Sequence, residues 1–226
     1  MNSPKRPPVT DPGVWEKWDP NGNARTFRGT TFVAHVVTDS PFHLLARRIL
    51  DDIHAADIAQ DYGLLPLSSL HMTLLDVLVE SDRKAWPSWL QDSPDFPTAV
   101  RRQLDRIVSS GLRGPEVLRM KPVAVWPLGW ALSIRLAPGD EDTAAELTRF
   151  RAEAAELLEI PASEDYEFHS SLGYRLTQWA SDAPRLDALA ERYRGWAAEV
   201  SEIDLGPVAF NVFDDMLAFP PLYYLP

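Results

Sequence analysis

A short segment occurs twice in this chain, at 69–75 (SLHMTLL) and 167–173 (EFHSSLG), with its histidines 98 positions apart. Leu70, Met72 and Leu74 recur with a period near two, as do Phe168, Leu172 and Tyr174, so each segment reads as a β-strand with an apolar face. The alternation places His71 with Thr73 on the other face of the first strand, and His169 with Ser171 on that of the second. Each strand thus presents an imidazole and, one pleat along, a hydroxyl. Two such strands facing one cleft surround a small anion with two imidazoles and two hydroxyls.

The repeat extends beyond the motif. The same offset lays the β-branched strand 30–37 on 128–135 and the helical segment 42–58 on 140–156. Further along, Pro122-Val123-Ala124 matches Pro207-Val208-Ala209 at an offset of 85. A proline- and tryptophan-rich insertion at 81–97, containing Trp86 and Trp89, absorbs the difference. Each half, 27–126 and 127–226, reads strand, helix, motif strand, helix, strand, strand, after an irregular arm at 1–26 that its tryptophans pin to the body. The expected helices lie at 41–59, 98–110, 140–159 and 182–199, the motif strands at 68–79 and 166–176, and the remaining strands at 117–126, 129–137, 203–213 and 215–224. The order predicts an α+β fold in which two antiparallel sheets, related by a pseudo-twofold axis, form a central cleft with helices outside.

Composition narrows the function. The 226 residues include no cysteine, which excludes disulfide and thiolate chemistry. No apolar run approaches the roughly 20 residues that span a bilayer, and nothing at the N-terminus resembles a signal peptide, so a monomer in the cytoplasm without membrane contact is expected. A net charge of −11, with basic residues paired only at Arg47-Arg48 and Arg101-Arg102, lacks the basic groove that tracks a long nucleic acid. A small substrate fits better.

The pair His71-Met72-Thr73 and His169-Ser170-Ser171 resembles the two His-x-Thr/Ser motifs of the 2H phosphoesterase superfamily. That group includes the bacterial RNA cyclic phosphodiesterases long called 2′–5′ RNA ligases, and plant and fungal cyclic phosphodiesterases. The surroundings, Tyr166-Glu167-Phe168-His169 and Phe213-Asp214-Asp215-Met216, most resemble a branch of uncharacterised function. The resemblance covers roughly 18–226 and implies the bilobal fold with the motif strands at its centre; Ser171 stands where many members carry threonine.

Imidazole titrates near neutrality, so two histidines can divide acid and base roles in opening a cyclic phosphodiester, while Thr73 and Ser171 donate hydrogen bonds to the phosphoryl oxygens. The resemblance implies the same division. His71 and His169 are therefore the expected catalytic residues and Thr73 and Ser171 the phosphate ligands, with neither metal nor cofactor. Ser69, Tyr174, Arg135 and Trp86 are further candidates for substrate contact, Trp86 and Trp89 as a lid. Of the other histidines, His35 is expected in the core and His43 and His54 on a helix surface. The expected substrates are 2′,3′-cyclic nucleotides or a related nucleotide or RNA-terminal phosphodiester. A 2′–5′ oligonucleotide phosphodiesterase and a non-catalytic nucleotide-binding module are the alternatives, and metal-dependent hydrolysis is a third.

Overall fold

The computed structural model describes residues 6–226. Its elements are α1 (Pro12–Lys17), β1 (Gly29–Val36), α2 (Pro41–Ala55), β2 (Tyr62–Leu64), β3 (His71–Val79), α3 (Phe96–Ser110), β4 (Met120–Val125), β5 (Ala131–Pro138), α4 (Glu141–Leu158), β6 (His169–Arg175), α5 (Ala183–Ala197), β7 (Leu205–Phe213) and β8 (Pro221–Tyr224). Local chemistry sets the helix starts. The side chains of Ser40, Asp95 and Asp140 each accept a hydrogen bond from a backbone N–H three residues on, which satisfies donors that the first helical turn leaves free. Asp95 followed by Pro97 starts α3 at Phe96, so the end of the expected insertion belongs to the helix. The last expected strand shortens from 215–224 to β8, because the Asp215 carboxylate accepts from the Leu217 N–H at 2.7 Å and turns the chain.

The strands form two antiparallel four-stranded sheets, in the orders β3-β1-β7-β8 and β2-β6-β5-β4. Each sheet is built on a motif strand and the strand that opens its own half: β3 pairs with β1, and β6 with β5. The third strand comes from the other half. β7 adds to β1, and β4 adds to β5. A sheet is therefore not a contiguous half of the chain. β2 and β8, short and outside the repeat, complete the sheets at one edge each.

The motif strands meet where the two sheets adjoin, while α4 packs on β3 and β5 and α5 packs on β4. One large core runs through both sheets, centred on Phe32, Met72, Phe150, Leu172 and Phe210. A second, smaller core of Val9, Val14, Trp18, Val33, Leu65, Leu176, Phe213, Met216 and Phe219 lies beneath the N-terminal arm. Trp18 is only 1% exposed, and its ring lies so close over Gly63 that a Cβ there would come within 2.5 Å of it. Gly63 is the space into which the arm docks. The Val9 N–H donates to the Leu176 carbonyl at 3.0 Å, and Arg6 forms an ion pair with Asp61.

A candidate active site between the sheets

A cavity of about 490 Å³ opens between the sheets, and His71, Thr73, His169 and Ser171 all line it. That volume lies within the usual range for small-ligand sites. The four residues singled out by the repeat are thus brought together by the fold.

The two histidines are held alike. His71 Nδ1 lies 2.6 Å from the Ser69 carbonyl, and His169 Nδ1 lies 2.9 Å from the Glu167 carbonyl, in each case two residues back along the chain. A carbonyl only accepts, so Nδ1 carries the hydrogen and Nε2 is left with a lone pair when the ring is neutral. An aromatic ring lies against each imidazole: Phe219 at 4.1 Å from His71 and Trp126 at 4.8 Å from His169, between centroids. Burial, foremost, with smaller contributions from His35 and His169, lowers His71 to about 4; the Ser69 carbonyl opposes this. His35 is its partner across the β1–β3 ladder, with ring centroids 6.1 Å apart, and is itself lowered by burial.

The hydroxyls also have polar neighbours. Ser171 Oγ lies 3.1 Å from Ser133 Oγ, on the facing position of β5. Tyr166 lines the same cavity as Thr73, and its hydroxyl is pushed up by burial and by Asp76. Arg151 fixes this corner. Its guanidinium lies 4.3 Å from the Tyr166 ring centroid, donates to the Ser163 carbonyl at 2.8 Å and also donates to the Leu74 carbonyl.

Beyond the hydroxyls, strict alternation breaks. β3 carries an extra residue between the partners of Phe32 and Val33, and β6 carries one between the partners of Leu132 and Ser133. These bulges at Leu74 and Leu172 are themselves 98 residues apart, so they belong to the repeat. Each re-aims the residue two further on. Asp76 and Tyr174 turn onto the cleft face and line the cavity. Tyr174, expected on the apolar face by periodicity, donates its hydroxyl to Met216 Sδ at 3.5 Å; burial, then Asp76, raise it to about 12.

Three of the expected substrate contacts lie elsewhere. Ser69 is 2% exposed and its hydroxyl donates to the Pro66 carbonyl, so it serves His71 through its backbone instead. Arg135 faces His169 in the β5–β6 ladder but is paired with Glu167 at 3.0 Å and does not line the cavity. Trp86 is buried against Phe96, with its indole N–H on the Val79 carbonyl, and Trp89 donates to the Leu158 carbonyl. Neither forms a lid. His43, expected on the helix surface, is buried.

Periodicity also missed Lys17, Phe27, Asp76, Trp126, Ser133 and Tyr166, all of which line the cavity. The repeat offers a signal for two of them: Ser133 lies opposite a motif residue in the strand that opens the second half, and Asp76 corresponds to Tyr174. Lys17 arrives on the arm and Phe27 just after it, where nothing in the sequence marks them. Among the described residues, no group of three or more His, Cys, Asp or Glu is placed to hold a metal ion, and no helix is long and apolar enough to cross a membrane.

Residues 17–127 match the model of the 2H-phosphodiest family, described as a domain of unknown function (DUF1868). The match spans just under half of the chain and includes the first histidine motif. It indicates a 2H phosphodiesterase-like domain. A crystal structure of a conserved protein of unknown function from Agrobacterium tumefaciens has the same fold, with a TM-score of 0.83 at 22% identity over 100% of this chain and 95% of that one. No curated protein matches.

Proposed function

We propose that the chain is a phosphodiesterase that opens 2′,3′-cyclic nucleotides, or a related small nucleotide or RNA-terminal phosphodiester, by acid–base catalysis with two histidines and no metal. The observation that carries this reading is the matched tethering of His71 and His169, each with Nδ1 on a carbonyl and Nε2 without a partner among the described residues, in one cavity with two hydroxyls. A binding module has no use for two imidazoles oriented in this way.

His71, lowered to about 4, is neutral at physiological pH and takes the role of base. Its Nε2 accepts a proton from water as the water oxygen attacks phosphorus. The anionic phosphodiester, once bound, favours the imidazolium that results. His169 takes the complementary role. Its protonated Nε2 gives a hydrogen to the ribose oxygen as the phosphorus–oxygen bond breaks, so that no alkoxide is expelled. The products are a nucleoside monophosphate and an enzyme with the two protonation states exchanged, which solvent resets. Thr73 and Ser171 donate to the non-bridging oxygens, where negative charge builds in the transition state. Ser133 holds the Ser171 hydroxyl in place.

The test is hydrolysis of the four 2′,3′-cyclic nucleotides in excess EDTA, with the product isomer identified. Turnover that survives chelation is expected. Turnover restored only by added divalent metal would overturn the mechanism, and the absence of any turnover would overturn the substrate class.

A further inference from the structure

The cavity contains two charged side chains that the acid–base chemistry does not use. Asp76 reaches it from the bulged part of β3, and Lys17 from the last turn of α1. Among the described residues neither side chain makes a hydrogen bond or an ion pair within 4.0 Å, although the two are close enough to influence each other. The Asp76 carboxylate opens on the cavity, yet the protein around it withdraws enough water to push it above its ordinary value, with Lys17 opposing. Lys17 is half-buried, with Nζ at 5.2 Å and 5.4 Å from the ring centroids of Phe27 and Tyr174, and burial lowers it. A carboxylate beside the binding site of an anionic phosphodiester is a liability unless the substrate brings it donors. An ammonium and a carboxylate left without direct partners across one cavity are complementary to a flat group that carries acceptors and donors side by side.

Resting on the phosphodiesterase reading, we infer that Asp76 and Lys17 read the base of the substrate, and that the base is guanine. Guanine has two adjacent donors, N1–H and N2–H₂, that a carboxylate accepts together, and an acceptor, O6, beside them for an ammonium. Adenine and cytosine offer the carboxylate one amino group, and uracil offers one imide N–H. The spacing agrees. The bulge at Leu74 takes up one residue, so Asp76 lies two ladder positions beyond Thr73, roughly 7 Å along β3 at ~3.3 Å per position, and the reach of the two side chains adds room for a ribose between phosphate and base. Phe213, Met216 and Phe219 supply apolar wall along that path.

The experiment is calorimetric titration of the full chain with the 3′-monophosphates of guanosine, adenosine, cytidine and uridine, for the wild type, Asp76→Asn and Lys17→Met. The wild type is expected to bind the guanosine nucleotide on the order of tenfold more tightly than the other three. Asp76→Asn is expected to bring guanosine down to the level of adenosine, and Lys17→Met to weaken guanosine selectively by a smaller factor. Circular dichroism establishes that each variant is folded. Equal affinities, no binding, or a guanosine preference that survives in Asp76→Asn would overturn the inference. A purely structural role for the pair would lower thermal stability in the variants and leave base preference unmoved, which also overturns it. Turnover is read separately: equal hydrolysis of all four cyclic nucleotides would count against guanine while upholding the phosphodiesterase reading. Guanosine-selective binding without any turnover would do the reverse.

Discussion

His71 bears most of the site's electrostatic cost. Its ordinary value of 6.5 falls to about 4 because surrounding protein disfavours the imidazolium. As the folded state binds this proton less readily than the unfolded chain, acidification through 6.5 favours unfolding, and the loss continues until about pH 4, where the folded state also takes the proton. A shift of this size is worth about 3 kcal/mol at its full extent. Chemical denaturation of the wild type and His71→Asn between pH 7 and pH 4 should show the wild type losing stability more steeply on acidification; parallel curves would place the His71 proton elsewhere. The same shift puts the ascending limb of kcat/KM, which reports the free enzyme, well below 6.5. At the hydroxyls the expectation is graded. Thr73→Ala and Ser171→Ala each remove one donor to the phosphoryl oxygens and should lower kcat by about 10- to 1000-fold with the fold unchanged. An unchanged kcat in either would remove that residue from the phosphate cradle.

The arm and the motif strands show what a sequence can and cannot reveal. Trp18 fills the space over Gly63, so Trp18→Ala should cost about 3–5 kcal/mol in a denaturant titration. Because Lys17 rides on the same turn, the variant should also lose activity out of proportion to its residual fold, whereas full activity would separate the arm from the site. The four motif residues were legible because alternation and the 98-residue offset agree on them. Tyr174, named as a substrate contact, does line the cavity, but alternation put it on the apolar face and left Asp76 unassigned, since a bulge adds one residue to a strand without any mark that periodicity detects. Trp86 misled for a related reason. A tryptophan beside a motif strand suits a lid and a core equally well by composition, and only the hydrogen bond to Val79 decides.

The whole molecule is joined by strand exchange. The α+β class and the two antiparallel sheets followed from the repeat, but sequence order carries no information on which half a closing strand joins. Since β4 completes the sheet of the second half and β7 that of the first, neither half can form its sheet alone. Unfolding should therefore be a single transition with coincident far-ultraviolet dichroism and tryptophan fluorescence; two separated transitions would show that the lobes are independent. The exchange also explains how a pseudo-symmetric cavity stays in register, because any displacement of one sheet is felt by the other through β4 and β7. The central claim is that His71 and His169 act on one phosphorus as a unit. Its most direct test is kcat/KM on a 2′,3′-cyclic nucleotide for His71→Ala, His169→Ala and the double variant. The account predicts that each single variant loses nearly all of the acceleration and that the double variant loses little more. Independent, multiplicative losses, or wild-type activity in either single variant, would contradict it.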